Sequence, residues 1–338
     1  MARRSFQYVS ALSTPILCTN RLLDRYDQPV NRRAALFSLL YLTAILYLSL
    51  YPWKFVPGPG LKSLVWFPLT TRRSILDAFL NVVFYMPLGA AVCISIRRGA
   101  VGFLAALALG ILVSFSVEWT QLSIPGRFGN LTDLVCNSLG TLLGVAVAFV
   151  ASRSSLASRL RVLYSPEVLL VGLWAVWQAF LFLPQYGPAI DISHEIVGLL
   201  ILALLLSRRK IRAAAPLLLI WLLLEELRPF HFQSSPHQFW WLPFESWFVG
   251  ALESYYGTFF GKLFFYTAIL WEERRSGMRW IWALAAPGTI LFAGELAQRY
   301  LPGRTPEITD VVLLAAGAVL LQFSEPYQPG RVIIKDPV

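Results

Sequence analysis

Ten apolar runs divide this chain of 338 residues, at roughly 34–51, 77–96, 100–121, 132–151, 167–183, 191–207, 213–228, 254–271, 279–299 and 308–324. About 20 apolar residues span a bilayer core as a helix, and the shorter runs need tilt or local thinning to do so. Charged residues make up 14% of the chain and mean hydropathy is +0.59, against a charged share of about a quarter in soluble domains. These features predict an all-α polytopic membrane protein with about ten transmembrane helices.

The net charge of +10 does not imply nucleic acid, because Lys and Arg fall in short clusters between the runs. That is the pattern of topology determinants. With the N-terminus inside, 20 of the 29 basic residues lie on the inner side and 8 outside, with Lys262 within a run. Both termini are then cytoplasmic; the loop 52–76 is the one dissenting segment. The opening "MARRSFQYVSALSTPILCTN" reads as a basic cytoplasmic tail, its apolar stretch being short and broken by polar residues and Pro15. Three cysteines have no metal-ligand spacing, so neither a metal site nor a cofactor is expected.

The segment "EWTQLSIPGRFGNLTDLVCNSLGTLLG" begins at Glu118, and "ELAQRYLPGRTPEITDVVLLAAGAVLL" begins at Glu295. Between 118–143 and the residues 177 positions later, 10 of 26 positions are identical, mostly polar residues, Gly and Pro. Arg97-Arg98 and Arg274-Arg275 stand at the same offset. The expected organisation is a cytoplasmic tail (1–33), a four-span unit (34–151), a two-span connector (152–212), a second, degenerate four-span unit (213–324) and a tail (325–338). A displacement of six spans makes the two units a parallel repeat. The Pro- and Trp-rich segments 52–76 and 229–253 suit the outer interface as short helices or re-entrant turns.

The polar residues of the first unit gather at the expected outer ends of three spans. Glu118 and Gln121 share a helix face, with Ser114 one turn deeper. Pro125-Gly126 breaks the chain and Arg127 sits at the tip. Thr132 can cap the next span, with Asp133 in its first turn, and Asn137, Gly140 and Gly144 continue the stripe; the two glycines suit close helix approach. Asp77 and Asn81 open the preceding span. Charges in a span are costly and mark function by default. A purely architectural reading stands beside this: Glu118 pairs with Arg127 to staple the hairpin while Asp133 caps a helix. The second copy keeps Glu295, Gln298, Arg304 and Asp310 but has Leu314 in place of Asn137, so Asp77, Asn81 and Asn137 are the better markers of a working site. A possible second site is "DISHE", with Asp191, His194 and Glu195; a polar helix end at the interface is its plain alternative. Local pairing is expected for Glu225 and Glu226 with Arg228.

These motifs resemble the VanZ-like family of bacterial membrane proteins: "NVVFYMPLG" (81–89), Glu118-x-x-Gln121 followed by Pro125-Gly126-Arg127, and "DLVCNSLGTLLG" (133–144), partly repeated from Glu295. The resemblance implies a cell-envelope role and an association with glycopeptide (teicoplanin) resistance, and it implies no enzyme class. Three readings are open. An outward-facing site binds an envelope lipid or cell-wall-related amphiphile, with Arg127 on an anionic head. Alternatively, the chain is an intramembrane transferase or hydrolase with Glu118 or Asp133 as acid/base. A transporter or structural scaffold is the third, the transporter disfavoured by spans that are apolar at mid-depth except at Lys262. The sequence leaves the ligand and the oligomeric state open.

Overall fold

The computed structural model describes residues 31–58, 60, 63–96, 99–153, 165–181, 192–207, 211, 213–249 and 255–324. By contacts the chain divides into two compact units, 1–157 and 158–338. The first unit holds α1 (Arg32–Leu50), α2 (Arg72–Ser95), α3 (Gly99–Gln121) and α4 (Leu131–Arg153). The second holds α5 (Pro166–Leu181), α6 (Ile192–Ser207), α7 (Ala214–Glu226), α8 (Glu245–Val249), α9 (Tyr256–Arg275), α10 (Trp280–Gln298) and α11 (Thr309–Ser324).

The protein is all-helical among the described residues, and five helices (α1, α2, α3, α4 and α10) are long and apolar enough to cross a membrane. Shorter apolar helices are α5, α6 and α11. Each of the ten apolar runs falls on a helix, and most ends agree to within two residues. One exception is the start of α2, which a capping box moves five residues ahead of the run: the Thr71 hydroxyl accepts the Ser74 N–H while Ser74 Oγ accepts the Thr71 N–H, both at 3.1 Å. The other is the end of α9, where Arg274 and Arg275 occupy the last turn, a placement the helix dipole favours. Leu39, Leu104, Leu112, Leu200 and Trp282 are among the large side chains on exposed faces; lipid would solvate them where water would not.

In the first unit α2 and α4 pack backbone to backbone. A Cβ on Gly140 would collide with the Val82 carbonyl, one on Gly144 with the Met86 carbonyl, and one on Gly89 with the Thr141 carbonyl. This close approach is what the small residues of the stripe suggested, and it brings α2's polar residues to α4's. Around it Ile45, Tyr85, Leu88, Val113, Val117 and Val145 form the core.

In the second unit α9 is the buried axis: every residue from Leu263 to Glu273 is buried. It packs on α5, α7, α11 and α10. The pair α5–α6, expected as a connector, thus includes a helix embedded in the second unit's core, with Trp177 of α5 stacked at 6.0 Å on Phe264.

The segments that precede α2 and α9 are anchored by backbone pairing. In the first unit the Val65 N–H donates to the Gly129 carbonyl at 3.2 Å and the Leu131 N–H to the Val65 carbonyl at 2.9 Å. In the second unit the Trp240 N–H donates to Pro306 at 3.0 Å and Ile308 to Trp240 at 3.2 Å. Each long segment therefore lies over the hairpin turn of its own unit.

Gly140→Leu is expected to cost about 3 kcal/mol or more, the upper range for overpacking, and to lower the unfolding temperature of the detergent-solubilised protein. Gly172→Ala, where an added Cβ meets nothing within 4 Å, is the control and should leave that temperature unchanged or raised.

Candidate functional site

The hairpin between α3 and α4 is closed by a carboxylate. Glu118, buried at 3% exposure, accepts the Asn130 N–H on Oε2 at 2.7 Å. Asn130 then caps α4, its Oδ1 accepting the Thr132 N–H at 2.8 Å. Capping was expected of Thr132. Its hydroxyl instead joins the overlying segment, donating to the Phe67 carbonyl at 2.8 Å and accepting the Phe67 N–H at 3.2 Å. A side chain ahead of the helix reaches the free N–H groups of the first turn more directly.

The structure spreads the expected site residues along this frame. Asp133 lies within hydrogen-bonding reach of the Asn81 and Asn130 side chains and in the field of Asp77, so α2 and α4 do converge there. Asn137, one turn deeper and buried, donates from Nδ2 to Ser114 Oγ at 3.0 Å. Its Oδ1 has no hydrogen-bond partner among the described residues, nor does the nearby buried Tyr85 hydroxyl. Gln121 turns away to α1, donating to the Ser49 carbonyl at 3.0 Å. Arg127 is exposed at the turn; among the described residues no ion pair joins it to Glu118, and a backbone N–H serves as the carboxylate's partner.

The second unit has the same frame. Glu295 accepts the Glu307 N–H at 2.9 Å, and the Thr309 hydroxyl accepts the Phe244 N–H at 2.6 Å. Gln298 donates to Glu226 at 2.9 Å. Arg304 folds back on its own unit, Nη2 and Nε donating to the carbonyls of Glu225 and Arg228 at 3.0–3.1 Å.

The difference lies in the interior. Lys262 of α9 places Nζ 2.8 Å from Asp310 and 2.9 Å from Glu226. Glu226, Glu295 and Asp310 bring carboxylate oxygens within 4.8 Å of one another, which is ligand spacing for a cation. Lys262 already supplies a cation to two of the three. Tyr266, wholly buried in the field of the same acids, has a hydroxyl without a partner among the described residues.

Beside this cluster lies a cavity of about 480 Å³. Its lining combines apolar side chains (Trp177, Leu181, Leu222 and Phe265) with polar and charged ones (His194, Glu195, Glu225, Glu226, Arg228, Lys262 and Arg304). His194 and Glu195 of the expected second site are thus at a cavity, Glu195 accepting two bonds from Gln178 Nε2 at 2.9 and 3.1 Å. Asp191 lies outside the described residues. Glu225 pairs with Arg228 at 3.0 Å, as expected, whereas Glu226 pairs with Lys262.

Sequence reasoning missed Lys262 and Glu226 as partners, and Asn130 and Tyr85. A lone lysine in an apolar run was the available signal, since such a charge needs a counter-ion nearby.

Glu307 lies just ahead of α11, and burial pushes its carboxyl above the ordinary value of 4.5. A carboxyl raised by folding is easier to protonate in the folded state, so its contribution to stability falls as pH rises above about 4.5. The difference in unfolding temperature between the wild type and Glu307→Gln should therefore shift against the wild type as pH rises through that window. In the ion cluster, Lys262→Met strands two carboxylates and is expected to cost about 3–5 kcal/mol. Adding Asp310→Asn should recover part of the loss, read as unfolding temperature.

Comparison with known proteins agrees with the motifs. Residues 37–152 match the family model VanZ/LLP1, a range that lies within the first unit and contains the α3–α4 hairpin. No curated protein and no solved structure matches the chain.

Proposed function

We propose that this chain, VanZ-like over residues 37–152, is a bacterial plasma-membrane protein that binds the head of an envelope lipid or cell-wall-related amphiphile. Through that binding it would affect susceptibility to glycopeptide antibiotics. The observation that carries the reading is the cavity of about 480 Å³ lined by both apolar and charged side chains. A concave, mostly pre-formed site with a few convergent polar groups is the usual form of a ligand pocket, and this lining suits a molecule that is itself half apolar.

In this reading the chain has ten spans, both termini cytoplasmic, and two four-helix units arisen by duplication. Bonds repeated at a fixed offset support the duplication. Glu118 to Asn130 and Glu295 to Glu307 are equivalent closures 177 residues apart, as are the amides Gln121 and Gln298, whose targets Ser49 and Glu226 are also 177 apart. Backbone φ is +61° at Trp53 and +60° at Phe230, again at that spacing. The two copies diverge inside. The first keeps Ser114 and Asn137, where the second has Leu291 and Leu314 and gains Lys262 at the position of Tyr85. The second unit, expected from sequence as a scaffold, is on this account the binding unit.

An enzyme using Glu118 or Asp133 as acid/base is the weaker reading. Glu118 is committed to a backbone N–H, and Asp133 is surrounded by amide donors, as architectural carboxylates are.

Thr258 lines the cavity but belongs to no hydrogen-bonded or ionic contact of the acid cluster. An envelope-lipid panel should raise the unfolding temperature of the wild type through at least one member, and Thr258→Trp, which fills the cavity, should abolish that rise without lowering the ligand-free temperature. If no amphiphile stabilises the wild type, the reading fails.

A further inference from the structure

The cavity's charges say what kind of head it takes. Three carboxylates (Glu195, Glu225, Glu226) and three cations (Arg228, Lys262, Arg304) line it. All three cations are already engaged. Arg304 is bonded to two backbone carbonyls, Arg228 to Glu225, and Lys262 to Glu226 and Asp310. An anion that took Lys262 would break its contact with Glu226 or Asp310 and leave that acid buried and unpaired, a costly state, and one that reached the remaining N–H groups of Arg228 or Arg304 would sit among the acids of the same lining.

A cation finds the opposite situation. Among the described residues Glu195, half-buried, has the neutral amide of Gln178 as its one hydrogen-bonding partner and no ion pair. Behind the lining, Asp310 and Glu295 add two further carboxylates, at 2% and 4% exposure. The lining itself balances three acids against three bases, and the two carboxyl groups beyond it tip the group towards acid. Aromatic faces line the same cavity. Trp177 lines the cavity with Phe265, their rings 5.3 Å apart in T-shaped contact, and the His194 ring stands 4.9 Å from Trp221. Aromatic faces beside a carboxylate attract an ammonium group, through the ring quadrupole and direct charge together.

We infer that the second unit's cavity binds a cationic head group, an amine or quaternary ammonium carried on an apolar chain, with Glu195 as its counter-ion and Trp177 and Phe265 as its wall. The inference rests on the amphiphile-binding reading and narrows it. It replaces the expectation of an anionic head held by arginine.

The test compares twelve-carbon amphiphiles that differ only in the head: amine, trimethylammonium, phosphate and glucoside. Each is titrated below its critical micelle concentration against the full-length protein in nanodiscs, with Thr258→Trp as the blank for partitioning into lipid. The amine and trimethylammonium compounds should bind saturably and weaken as salt is raised. Glu195→Gln, which keeps the shape and one of the two contacts with the Gln178 amide, should weaken them by about tenfold, the scale of one charge-assisted contact, while the glucoside is unchanged. Phosphate binding as tight as amine binding, or amine affinity indifferent to Glu195→Gln, would overturn the inference and leave the amphiphile reading standing. No binding of any head would remove both. If Glu195→Gln does not fold, the wild-type ranking of heads and its salt dependence still decide.

Discussion

A buried carboxylate that accepts a backbone N–H twelve residues further along closes the α3–α4 hairpin, from Glu118 to Asn130. The turn between two apolar helices leaves amide groups that neither helix can satisfy, and a hydrocarbon environment makes each such group expensive. A charged acceptor answers that need more strongly than a neutral one. Its position then sets the rest of the hairpin: Asn130 is held to cap α4, the segment around Val65 pairs with the turn, and α4 enters with its glycine face against α2. Glu295 and Glu307 close the α10–α11 hairpin by the same bond.

With the frame secured by backbone contacts, the side chains inside it are free to differ. The first unit fills the space below its hairpin with Ser114, Asn137 and Tyr85, a neutral set. The second places apolar side chains at two of these positions and an ammonium at the third. That ammonium draws Glu226 and Asp310 to it, and Lys262 and Glu226 line the cavity together with Trp177 and Phe265. A buried cluster of this kind adds little or no stability over an apolar core of similar volume, which makes a role in binding the more economical account of it.

Much of the architecture is legible in the sequence because it obeys local rules. Apolar run length marks the helices, and Gly140 and Gly144 on one face mark the close α2–α4 contact. Where the sequence falls short, the cause is mostly non-local. The start of α2 depends on a Thr71–Ser74 cap that hydropathy does not register. The partner of Glu118 is a main-chain N–H, invisible in a search for opposite charges, which points to Arg127 instead. Lys262 stands out as a charge in an apolar run, but its partners lie on α7 and α11, 36 and 48 residues away in sequence, and spacing along one helix cannot find them. The cavity likewise needs α5, α6, α7 and α9 together, which no single motif announces.

The central claim is that the second unit's cavity holds the head of a membrane amphiphile. The most direct measurement is native mass spectrometry of the protein extracted from its own membrane, comparing the wild type with Thr258→Trp. The account predicts a retained amphiphile on the wild type, in one-to-one ratio and bearing an amine, and its loss from the variant. Equal retention by both proteins, or a wild type that carries nothing, would contradict it.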